Sequence, residues 1–122
     1  MSYDIELCDP VTGEVLQLDA PHHMRGGTYA VGGTTDAHLN VTYNYGPHFY
    51  RVIHPNGAQG GIRALYGLSG AQSIPVLDAA IAQLGNDVDP DYWRATEGNA
   101  KAALVQLRTL AQMRPDGVWS GD

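Results

Sequence analysis

The chain has 122 residues, thirteen acidic against seven basic, and a formal net charge of −6. One domain of this length buries a core without disulfides or a structural metal, and the negative balance argues against non-specific binding to nucleic acid or an anionic membrane, which requires a basic surface. Cys8 is the single cysteine, no apolar run approaches bilayer-spanning length and no basic segment leads into a hydrophobic one, so the reading is a cytoplasmic protein without membrane signal, internal disulfide or thiolate metal cluster.

In chain order, Tyr3, Ile5 and Leu7 alternate with Asp4, Glu6 and Cys8, and a second apolar patch follows the turn residues Asp9, Pro10 and Gly13. This predicts a hairpin of strands over roughly 3–8 and 14–19. Residues 20–36 carry Pro21, His22, His23 and two Gly-Gly pairs, a loop composition with a short strand predicted over 28–31. Leu39, Val41, Tyr43 and Tyr45 then alternate with Asn40, Thr42 and Asn44, which predicts a strand over 38–45 with one apolar, aromatic face and one face of neutral hydrogen-bonding groups. Gly46 and Pro47 turn the chain into a helix carrying Phe49, Val52 and Ile53.

The second half reads as helical. Residues 62–66 suggest a short helix ended by Gly67. Ser73 as cap and Pro75 in the first turn predict a helix with Ile74, Leu77, Ile81 and Leu84 on one stripe, stopped by Gly85. Tyr92 and Trp93 are expected as turn anchors. Thr96 caps a last helix whose Ala100, Ala103, Leu104, Leu107, Leu110 and Ala111 form an apolar face until Pro115. The tail after Pro115 is too short for a predicted element, although Trp119 should pack. The expected fold is α+β: a single domain, 1–122, with a small antiparallel sheet (the N-terminal hairpin plus strand 38–45) packed by three or four helices.

The strongest candidate for function is the strand-to-helix stretch. Asn40, Thr42 and Asn44 place amide and hydroxyl groups on one strand face leading to the backbone after Gly46, where a phosphate, carboxylate or nucleobase edge would find donors. The competing reading is a solvated face, or side chains that satisfy the turn backbone themselves. Arg63 and Arg51 would bring positive charge to such an anion, against the alternative of surface ion pairs. Tyr50 and Trp119 offer stacking faces for a base.

Other chemistries lack a pattern. The five histidines show no metal-ligand spacing, and His22 and His23 are adjacent, where side chains rarely converge on one ion. Asp87, Asp89 and Asp91 alternate like the start of a calcium loop, but Tyr92 and Gly98 stand where its Gly and Glu belong. Cys8 has no local base, Ser69 lacks the nucleophile-elbow sequence, and the Gly-Gly pairs match no phosphate loop. No cofactor and no metal are expected.

The element Asn40-Val41-Thr42-Tyr43-Asn44 followed by a helix, then 61–66, the Ile74-Pro75 helix and Pro115-Asp116-Gly117, resembles a group of small uncharacterised bacteriophage proteins with an N-[IV]-T-x-N strand-to-helix motif. The resemblance spans roughly residues 38–117. It implies a phage or prophage setting, in the host cell cytoplasm, and by analogy a role against host defence. The combined expectation is a non-enzymatic accessory protein that sequesters a small anionic or nucleotide-like molecule, such as a host-defence signal, at Asn40, Thr42, Asn44, Gly46, Tyr50, Arg51 and Arg63. A homo-oligomer is expected, because a small chain buries a ligand more easily at a subunit contact. The rival is an acidic interaction protein that inhibits a host enzyme through Asp87, Asp89 and Asp91.

Overall fold

The computed structural model describes residues 1–24, 33–91 and 93–122. The predicted strand 28–31 and Tyr92 lie outside them. Strand β1 (Ser2–Cys8) is the centre of a three-stranded antiparallel sheet, flanked by β4 (His38–Thr42) on one edge and β5 (Val118–Gly121) on the other. Strands β2 (Gln17–His22) and β3 (Thr34–Asp36) form a separate antiparallel pair. Among the described residues three α-helices complete the α+β fold: α1 (Gly46–Val52), α2 (Gly70–Ala82) and α3 (Glu97–Met113). Among the described residues no helix is long and apolar enough to cross a membrane.

The alternation in β1 does what the pleat requires. Tyr3, Ile5 and Leu7 point inward, opposite Val41, Leu39 and Trp119 respectively, and all six side chains are buried. Helices α2 and α3 pack against one another and join the same core, α3 through the apolar stripe from Ala100 to Ala111. The outer face of the sheet is polar. There the Asn40 amide donates to Ser2 Oγ at 2.8 Å and to Asp4 Oδ1 at 2.9 Å, and His38 Nε2 lies 3.2 Å from the same carboxylate.

The predicted hairpin closes but does not continue. Asp9 and Gly13 make its turn and Cys8 bridges Val15, yet at Leu7 the chain enters a three-way junction: Leu7 N–H donates to Ala37 O, Ala37 N–H to Leu16 O and Leu16 N–H to Leu7 O, each at 2.9 Å. Beyond it, that edge of β1 is occupied by β4, so the second strand is displaced to Gln17–His22 and takes β3 as its partner. His22 is thereby a buried strand residue. Its Nε2 contacts the Asp36 carbonyl at 2.8 Å and its Nδ1 accepts from Met24 N–H, a pairing that requires the neutral Nε2–H tautomer.

The strand predicted over 38–45 ends at Thr42. The Thr42 hydroxyl accepts from Asn44 N–H and starts a 3-10 helix, Tyr43–Tyr45, which runs directly into α1. In helix α2 the cap is Ser69 rather than Ser73: Ser69 and Gln72 form a reciprocal capping box, and Pro75 falls on the exposed side beyond the first turn. Ser73 is buried instead, against Trp119. The tail after Pro115 is an element after all, β5, because Val118–Gly121 finds β1 on one edge and the backbone of residues 67–69 on the other.

Candidate functional site

A cluster around Arg63 is assembled from four separate parts of the chain. Tyr3 comes from the inner face of β1, Tyr43 from the 3-10 helix that Thr42 initiates, Tyr50 from the exposed side of α1, and Arg63 from a second 3-10 helix, Gly61–Leu65, with Tyr66 just after it. Rings of Tyr3 and Tyr43 meet edge to face, their centroids 4.5 Å apart. The Arg63 guanidinium carbon lies 5.2 Å from the Tyr3 ring centroid and 5.7 Å from that of Tyr43, within cation–π range of both. Its Nη2 reaches the Tyr43 hydroxyl at 3.5 Å, and the Tyr50 hydroxyl is a further hydrogen-bond partner.

Glycines make room for these rings. A Cβ on Gly60 would stand 2.9 Å from the Tyr50 ring and one on Gly61 3.5 Å from it, so Tyr50 lies directly on the peptide backbone of this pair. Gly61 also has φ of +60°, a conformation that other residues rarely adopt. Gly46 plays the same part for the Tyr3 hydroxyl, 3.2 Å from where its Cβ would be.

The electrostatics of the cluster are those of a cation among phenols. Burial works against the charge on Arg63, but the phenolic oxygens of Tyr3 and Tyr43 outweigh it and hold the guanidinium above its ordinary value. Burial raises the Tyr3 and Tyr66 phenols, with Arg63 pulling both the other way. Tyr66 also donates to the Asp122 backbone carbonyl at 3.0 Å. Among the described residues no carboxylate lies within 4.0 Å of the Arg63 guanidinium, whereas Arg51, Arg94, Arg108 and Arg114 each have one.

Of the residues singled out from sequence, the fold brings Arg63 and Tyr50 together, with Gly46 adjoining through Tyr3. The others are elsewhere. Asn40 is on the outer sheet face with Ser2 and Asp4, Thr42 caps the 3-10 helix, and the Asn44 amide donates to Trp93 O at 2.8 Å. Gly46 N–H closes the 3-10 helix onto Tyr43 O. Arg51 turns to the α3 side, donating to His48 Nδ1 at 3.1 Å and lying 3.7 Å from Glu97, while His48 Nε2 donates to Ala95 O. Trp119 is buried in the core and presents no stacking face. In the sequence Tyr3 and Tyr43 carry only the signal of an apolar strand face; the nearness of Tyr66 to Arg63 is the one local signal, and nothing local marks Tyr3.

The remaining candidates are committed to backbone. Asp87 accepts from Gly98 N–H, Asp89 from Asp91 N–H and Asp91 from Trp93 N–H, so the acidic loop builds the approach to α3. Cys8 is buried, and burial followed by the nearby Glu6 carboxylate raises its thiol, which disfavours the nucleophilic thiolate. Among the described residues no group of three His, Cys, Asp or Glu is placed to hold a metal ion. Compared with protein-family models, curated proteins and solved structures, the chain matches none.

Proposed function

We propose that this protein binds a small anionic or nucleotide-like molecule without transforming it, taking the anion at Arg63 and a planar group against Tyr50. The observation that carries this reading is partly buried Arg63, whose guanidinium faces phenols and has no described carboxylate partner. A planar guanidinium grips phosphate or carboxylate through paired hydrogen bonds, and partial desolvation strengthens them relative to open solvent. Phenolic hydroxyls around it add neutral donors. Exposed Tyr50 is the face on which a base would stack. The guanidinium stays protonated and the Tyr3 and Tyr66 phenols hold their protons above the usual range, which suits binding better than proton transfer. In the phage setting inferred from the 40–44 motif, the role would be sequestration of a host-defence signal, in a homo-oligomer.

Native mass spectrometry of freshly purified protein, with a thermal-shift series in inorganic phosphate and adenosine monophosphate, tests the reading. Binding to the folded state raises the melting temperature with ligand concentration. Arg63→Gln should abolish the rise while the variant still unfolds cooperatively. If neither anion shifts the transition and no small molecule is released, or if Arg63→Gln responds like the parent, the assignment fails. An acidic surface acting on a basic partner would instead show strongly salt-dependent protein binding, sensitive to Asp87, Asp89 and Asp91.

A further inference from the structure

A groove of about 500 Å³ opens between the end of α1, the turn at residues 54–56, the Arg63-bearing 3-10 helix and α2. Arg63 itself is not part of its lining. Its lining includes buried Val52 and Ala64, with Pro55 from the turn and Pro75 from α2. None of the ten lining residues is Asp, Glu, Lys or Arg, in a chain that carries twenty such residues. An ionic ligand would lose hydration here and gain no counter-charge. Hydrogen-bonding groups are limited to the side chains of His54, Asn56 and Gln83 and to backbone.

Two further features fix the class of occupant. Proline has no N–H, so neither proline position supplies the backbone donor that an added peptide strand would use. The turn wall is also held in place: Asn56 and Gln59 exchange backbone hydrogen bonds at 2.8 and 3.1 Å, and the Asn56 amide reaches Ala64 O at 3.4 Å. A preformed, mostly apolar concavity of this volume with a few polar groups has the character of a small-molecule site.

We infer that this groove is a second binding site, independent of the Arg63 cluster, for an uncharged and predominantly apolar small molecule carrying a neutral hydrogen-bonding group. Nile red, a neutral apolar dye with a carbonyl acceptor, is the probe. Titrated into the full chain, it should bind saturably at one site per chain, with amide shift changes confined to residues 52–56, 64–68 and 75–83. Ala79→Phe, at an exposed position of α2, should weaken binding by about tenfold or more by filling the groove, and Arg63→Gln should leave it unchanged. Absence of saturable binding, shift changes centred elsewhere, or an Ala79→Phe variant that binds as the parent does would each overturn the inference. The shift map on the unsubstituted chain decides the matter should Ala79→Phe fail to fold.

Discussion

Trp119 Nε1 donates to Ser73 Oγ at 2.7 Å, both groups buried, and the same hydroxyl donates onward to Gly70 O at 2.8 Å. One serine thus fastens β5 to the first turn of α2. Ser73→Ala strands the indole N–H in the core and should cost about 1–3 kcal/mol. Ser69→Ala removes only the exposed capping box, for about 1 kcal/mol. Urea unfolding of the two variants should rank Ser73 as the more damaging, and the reverse order would show that the buried Trp119–Ser73 bond adds less to stability than the Ser69 cap.

In helix α3, Gly98→Ala should destabilise although alanine is the better helix former. A Cβ there would meet Val88 N at 2.5 Å and the Asp87 backbone at 2.6 Å, and neither neighbour is a flexible side-chain end. Overpacking of this kind costs about 1–3 kcal/mol, against a propensity gain of up to about 1 kcal/mol. A melting temperature below the parent's is expected; a rise would show that the 87–88 backbone yields freely.

The adjacent glycines under Tyr50 should behave differently from each other. Gly60 has ordinary backbone angles, φ −124° and ψ 169°, and its substituent would press only on the exposed Tyr50 ring. Gly60→Ala should therefore change stability by no more than about 0.5 kcal/mol while weakening nucleotide binding by moving the ring. Gly61→Ala meets less crowding but sits at φ +60° and should lose about 1 kcal/mol or more. Thermal melts paired with adenosine monophosphate titrations separate the two effects.

Alkaline pH should loosen the fold through its phenols. Tyr3 and Tyr66 are raised, chiefly by burial, from an unfolded value of 10.0. A raised phenol keeps its proton in the folded chain after the unfolded chain has released it, so its contribution is complete below about pH 10 and is lost as pH climbs further. Melting temperature should fall above that pH, and Tyr66→Phe should flatten the fall. Phenolate absorbance in the folded state should show tyrosines that titrate late.

Where one face and one period agree, the sequence was readable: α3 runs from its Thr96 cap along the expected stripe. Strand 38–45 was overextended because Tyr43 and Tyr45 preserve the alternation, and only the Thr42 hydroxyl breaks it. Strand β5 left no trace, since four residues beside Gly117 become a strand only when β1 is there to pair with. The candidate site divides in the same way. Arg63 and Tyr50 stood out as residue types near turns, whereas Tyr3 reaches Arg63 through sheet and helix packing that no local pattern encodes.

The central position of β1 also bears on how the molecule acquires its structure. Asp4 N–H and Asp122 Oδ1 lie 3.1 Å apart across 118 positions of sequence, and the neighbouring ladder to β5 is comparably distant in sequence. Such contacts reward the chain only after a large loss of configurational freedom, whereas the local turns of α2 and α3 carry no such cost. Sheet completion should then be the late, slow step of refolding, and in stopped-flow measurements substitutions confined to β5 should speed unfolding far more than they slow folding.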